Sequence, residues 1–97
     1  MTLARKGEKC VLVSAGKYGE RMLFLQKIAG INYIDAVADN NTERQGCEWN
    51  EYILMSISEA VYKYKKDWFL IANRKYAEIL RGQLTAEGIQ EDKILIF

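Results

Sequence analysis

The sequence predicts a doubly wound α/β domain of three layers, a parallel sheet of about five strands with helices on both faces. Three observations predict it. Short apolar or β-branched runs alternate with stretches of helical periodicity along all 97 residues. The later apolar runs, such as W-F-L-I-A at Trp68–Ala72, are continuous rather than alternating, as strands buried on both faces require. The chain also carries no repeat, no proline and no low-complexity segment that would mark a linker, so it reads as one small domain.

The elements follow in order. Lys9–Ser14, K-C-V-L-V-S, is a short buried strand. From Tyr18 to Ala29 a helix is predicted, its inner side formed by Met22, Leu25, Ile28 and Ala29 with Phe24 beside them. Gly30 stops it, because glycine takes the left-handed conformation of a helix end without a Cβ penalty. Tyr33–Asp39 is a second strand, and Asn40–Asn50 a polar loop. Tyr52–Met55 reads as a brief third strand. Ser56-Ile57-Ser58-Glu59 has the spacing of a capping box, which predicts a helix to about Lys65 that buries Ala60, Val61 and Tyr64. Trp68–Ala72 is a fourth strand. Lys75–Glu87 is a helix with Ala77, Leu80 and Leu84 inside, ended by Gly88, and Lys93–Phe97 is the last strand. Right-handed crossovers then give the strand order 3-2-1-4-5, with Lys9–Ser14 in the middle, a Rossmann-like arrangement.

Composition removes several classes of function. There are 14 basic and 13 acidic residues, and the net charge of +1 predicts no nucleic-acid face. Histidine is absent, and with it the commonest general base and metal ligand. Cys10 and Cys47 form no C-x-x-C pair, which predicts reduced thiols and a cytoplasmic setting. The basic start M-T-L-A-R-K-G-E-K leads into no signal-peptide core, and no stretch reaches the roughly 20 apolar residues of a membrane span.

The chemistry concentrates after the first strand. In a sheet of this order, ligands bind beyond the carboxyl ends of the strands where the order reverses, between the strands ending at Ser14 and Ala72. The turn there reads S-A-G-K-Y-G: Ser14, Ala15, Gly16, Lys17, Tyr18 and Gly19. The following helix leaves its first amides unpaired at an end of partial positive charge, which suits a diphosphate. Gly16 would let the ligand approach the backbone, and Gly19 would let the helix pack close on the first strand. Ser14 stands where the G-x-G-x-x-G fingerprint has its first glycine. The same fingerprint places an acid about 20 residues on, and Asp39 lies 20 positions after Gly19. Asp39 either meets ribose hydroxyls or heads the turn Asp39-Asn40-Asn41, with Asn40 beside the same site. Lys17 could neutralise phosphate. Asn73 borders the crevice and could equally cap the next helix. The Y-x-x-x-K spacing in Tyr62-Lys63-Tyr64-Lys65-Lys66 precedes the fourth strand, on the wrong crossover for a dehydrogenase acid/base pair. No phosphate-loop motif or metal-ligand spacing is present.

The run V-L-V-S-A-G-K-Y-G-E-R, then V-A-D-N-N, I-L-M-S-I-S-E-A, F-L-I-A and K-I-L-I-F resembles a family of Rossmann-like nucleotide-binding modules. These belong to bacterial polysaccharide and nucleotide-sugar proteins, as in the N-terminal domains of epimerases and dehydratases. The resemblance runs from about Lys9 to Phe97. It implies a nucleotide ligand, NAD(H) or a nucleotide-diphosphate sugar, held by Gly16, Lys17, Tyr18, Gly19 and Asp39. It also implies that the chain is one module of a larger protein, with a second domain as partner. The first expectation is a binding module without a catalytic centre. The others are part of an epimerase, dehydratase or transferase needing a missing domain, or a scaffold with an empty crevice. The strands at Tyr52–Met55 and Lys93–Phe97 are expected at the sheet edges, where they could pair with a second copy.

Overall fold

The computed structural model describes residues 9–30 and 33–97, so the basic start at 1–8 lies outside the described residues. In chain order the elements are β1 (Cys10–Val13), α1 (Lys17–Ala29), β2 (Ile34–Ala38), β3 (Glu48–Trp49), β4 (Tyr52–Ile53), α2 (Ile57–Tyr64), β5 (Trp68–Ile71), α3 (Ala77–Ala86) and β6 (Ile94–Ile96). The main sheet runs β2-β1-β5-β6, and its pairings are all parallel. It is the doubly wound α/β architecture expected, with β1 at the reversal of order.

Side chains of β1 alternate between the two faces. Cys10 and Leu12 join Met22, Val37, Leu54 and Leu70 on the face under α1. Val11 and Val13 join Phe69, Ile71, Ala60 and Leu84 on the face under α2 and α3. Both faces of the strand are therefore dry, which explains a run without a polar residue. Burial pushes the Cys10 thiol up to about 12, with the Asp35 and Asp67 carboxylates adding to the effect. Cys10 is a packing residue rather than a nucleophile. Cys47 is exposed, and both cysteines are free.

Two expectations are corrected here. First, the Tyr52–Met55 segment is not a strand of the main sheet. Tyr52–Ile53 pairs backwards with Glu48–Trp49 to make a small antiparallel hairpin, and only Met55 bridges to Ala38. Met55 N–H donates to the Val37 carbonyl at 3.1 Å, and its carbonyl accepts Asp39 N–H at 3.0 Å. The outermost place in the predicted order is thus held by a single residue. The hairpin tip, Asn50-Glu51, has φ of 48° and 74°, the left-handed pair that a two-residue turn matching strand twist demands.

Second, α1 is rotated relative to its predicted stripe. Gly19, Met22 and Gln26 face the sheet. Phe24, Leu25 and Ile28 are 63%, 53% and 67% exposed. The physical reason is Gly19. A helix that must touch β1 at its glycine cannot also turn Leu25 and Ile28 inward. Gln26 takes the buried place because its amide oxygen accepts both Tyr33 N–H at 3.0 Å and Ile34 N–H at 2.9 Å. Two orphan donors at the start of β2 are thereby satisfied, which offsets the cost of burying a polar group.

The other helices follow the sequence closely. Ser56 Oγ accepts Glu59 N–H at 3.1 Å at the start of α2, and Ala77, Leu80 and Leu84 form the inner side of α3.

Candidate functional site

The first turn beyond β1 is shaped by hydrogen bonds to its neighbours on both sides. Ser14 N–H donates to the Ala38 carbonyl at 2.8 Å. The chain then bends with Ser14 at φ 87°, a region that costs an L-residue roughly 1–2 kcal/mol. Serine does not avoid the conformation for which the fingerprint reserves glycine; it adopts it. Replacing Ser14 by glycine should therefore raise stability by about 1 kcal/mol. The measurement is the denaturant midpoint, with Asn73→Ala as the background that removes the partner of Ser14 Oγ; an unchanged midpoint there would mean that the turn carries no strain.

Ala15 is buried, and its N–H donates to Asp39 Oδ2 at 2.7 Å. Asp39 Oδ1 accepts Asn41 N–H at 2.8 Å. Asp39 thus faces the turn across the end of the sheet and also heads the turn into the following loop. Asn73 is not the cap of α3, which begins after Tyr76; it closes the turn before the helix and reaches Ser14. Its Oδ1 accepts Tyr76 N–H at 2.9 Å at the approach to α3. Its Nδ2 donates to Ser14 Oγ at 3.3 Å, across the ends of β1 and β5. Ser14, Ala15, Asp39 and Asn73 are therefore brought together at the carboxyl end of the sheet.

The two glycines of the loop differ in kind. A Cβ on Gly19 would stand 2.8 Å from the Ser14 carbonyl oxygen, 3.2 Å from Leu12 Cδ2 and 3.3 Å from Trp49 Cη2. Protein packing alone explains Gly19. A Cβ on Gly16 would meet only Ser14 Oγ, at 3.9 Å, and φ there is −124°, open to any residue. Nothing in the fold accounts for Gly16. It is also the cap of α1 and offers no side-chain hydrogen bond to the helix, so no cap side chain covers the first-turn amides.

Three predicted residues are placed less simply. Lys17 is exposed. Tyr18 turns towards β6: its ring meets Phe97 edge-on at 6.5 Å, with the Arg21 and Arg74 guanidinium carbons each 5.8 Å from its centroid. Asn40 pairs with Gln83 through two amide hydrogen bonds of 2.8 and 3.1 Å. Arg44 was not anticipated. Its Nη1 donates to the Ala15 carbonyl at 2.8 Å and lies 3.9 Å from Asp39 Oδ2. The only sequence signal for it is a cation in the loop that follows the acid. A separate open groove of about 1060 Å3 runs between α1 and the hairpin and takes only Lys17 from the glycine loop. Among the described residues, no group of three or more His, Cys, Asp or Glu could hold a metal.

Strand order and crossovers together define a Rossmann-like α/β domain. Within that class the chain belongs to the C2185-like, N-terminal family, whose profile matches residues 6–95. No curated protein matches the sequence. Among solved structures, RSP, a Rex-family repressor, superposes with a TM-score of 0.65 at 15% identity, covering 92% of this chain and 51% of its own. RSP in complex with β-NADH gives 0.62 at 15% identity, with the same coverage. RSP in complex with β-NAD+ and operator DNA gives 0.65 at 13% identity, covering 93% of this chain and 49% of that one. At these identities the likeness shows the fold, and the chain spans about half the length of the chains it matches.

The last of these structures corrects the expectation of no nucleic-acid partner. A chain containing this fold is seen on operator DNA. Balanced charge in a domain of this fold thus gives no ground for excluding nucleic acid. Among the described residues, no helix is long and apolar enough to cross a membrane.

Proposed function

We propose that this chain is a dinucleotide-binding module that takes NAD(H) at the carboxyl end of β1. The diphosphate sits on the first-turn amides of α1 at Gly16 and Lys17, with Ser14 and Asn73 on one side. The adenosine ribose lies towards Asp39. The observation that carries this reading is Gly16, a glycine that neither packing nor backbone angle requires. Close approach of a ligand to the backbone, at this end of the sheet, would account for it. The crevice lies where a doubly wound sheet presents helix amides and partial positive charge. Solved structures of the same fold are complexes with β-NADH and β-NAD+, which supports the dinucleotide. The nucleotide-diphosphate sugar and the polysaccharide role have no such support, so the dinucleotide is preferred. The module works as one part of a longer protein whose remaining domain reads out or uses the bound ligand.

Thermal unfolding in the presence of nucleotides tests this. A ligand at 100 times its dissociation constant adds about 2.7 kcal/mol, a rise of roughly 10–20 °C for a domain of this size. NADH or NAD+ should produce it. No shift with either, and no heat of binding by calorimetry, would overturn the reading.

A further inference from the structure

The ribose end of the crevice is not the bare carboxylate that the sequence suggests. Asp39 already accepts Ala15 N–H and Asn41 N–H, one on each oxygen. Arg44 reaches back from the loop to the Ala15 carbonyl, and its Nη1 stands 3.9 Å from Asp39 Oδ2. The Asp39 side chain is 14% exposed and the Arg44 side chain 38%, so Asp39 is the inner member of the pair. A ligand arriving from solvent meets the cation first.

This arrangement alters what the ribose end can accept. A lone carboxylate repels a phosphate on the ribose 2′ position and favours the free hydroxyl. Here a guanidinium nitrogen stands 3.9 Å from that carboxylate. A guanidinium also presents five N–H donors in a planar fork. Among the described residues one hydrogen bond engages that fork, the one to Ala15. The remaining donors suit the paired oxygens of a phosphate.

We infer that Arg44 is a specificity-determining residue that opens the crevice to the 2′-phosphorylated dinucleotide, so that the domain binds NADP(H) as well as NAD(H). The inference rests on the dinucleotide reading above. Arg44 grips the 2′-phosphate, while Asp39 holds the glycine turn and remains available to an unmodified ribose.

Calorimetric titration of NADH and NADPH, each into wild type, Arg44→Gln and Arg44→Lys, decides it. Glutamine carries no charge and, two bonds shorter than Nη1, also gives up the hydrogen bond to the Ala15 carbonyl, whereas lysine keeps the charge. In wild type both ligands bind, with dissociation constants within about tenfold of each other. Arg44→Gln weakens NADPH by roughly 10- to 100-fold, the worth of one charge-assisted hydrogen bond. NADH changes by less than about threefold, because its ribose carries no anion for the lost charge to hold. Arg44→Lys restores part of the NADPH affinity. If wild type binds NADH but NADPH more than about 100-fold more weakly, the inference is wrong and the dinucleotide reading stands. Equal weakening of both ligands in Arg44→Gln also overturns it, since Arg44 would then be only a latch on the loop. Binding of neither ligand by wild type removes both.

Discussion

Gly19→Ala should destabilise the domain by about 2 kcal/mol, lowering its melting temperature by roughly 8–16 °C. In an open helix the same change is favourable by roughly 0.5–1 kcal/mol, because alanine loses less backbone freedom. At Gly19 the added methyl lies 2.8 Å from the Ser14 carbonyl oxygen, backbone rather than a flexible side chain. That carbonyl cannot retreat easily. Its residue is already at φ 87° and is tied to Ala38 through its own N–H. Nor can α1 lift away without withdrawing Met22 and the Gln26 amide that serves Tyr33 and Ile34. Overpacking of this kind costs about 1–3 kcal/mol. Gly82, on α3, is the internal control, since a Cβ there meets nothing within 4 Å. Gly82→Ala should stabilise by roughly 0.5–1 kcal/mol. Denaturant unfolding of both variants checks the contrast, and equal effects at the two sites would mean that α1 does not rest on β1 at its glycine.

The same contact explains what the sequence does and does not disclose. Strands of continuous apolar residues, the Ser56 cap, the glycine stop at Gly30 and the acid ending β2 are all local signals, and each lies within a residue or two of its predicted place. The face that α1 presents is not local. Apolar periodicity favoured Leu25 and Ile28, yet a tertiary contact at Gly19 sets the rotation and leaves them exposed. The hairpin was hidden for a related reason. Its tip lacks the glycine that normally announces such a turn, and Glu51 takes φ 74° in its place. Arg44 could not be located because its role depends on a loop folding back onto Ala15, 29 residues away in sequence.

Gly16→Val should leave the fold intact and remove nucleotide binding. Valine can adopt an extended backbone, and φ at Gly16 is −124° with only Ser14 Oγ within 4 Å of a Cβ. Loss of a glycine cap costs no more than about 1 kcal/mol. The branched side chain would occupy the space over the first-turn amides of α1, where the diphosphate is proposed to lie. Hydrogen bonds to a charged ligand contribute about 1.5–3 kcal/mol each. Losing two of them weakens NADH by roughly 100-fold or more. Fluorescence titration with NADH, beside thermal unfolding of the ligand-free variant, separates the two effects. Gly19→Val would not, because it breaks the helix–strand contact before any ligand arrives. A Gly16→Val protein that folds and binds NADH as tightly as wild type would show that the ligand never approaches this backbone, and Gly16 would return to being an unexplained glycine.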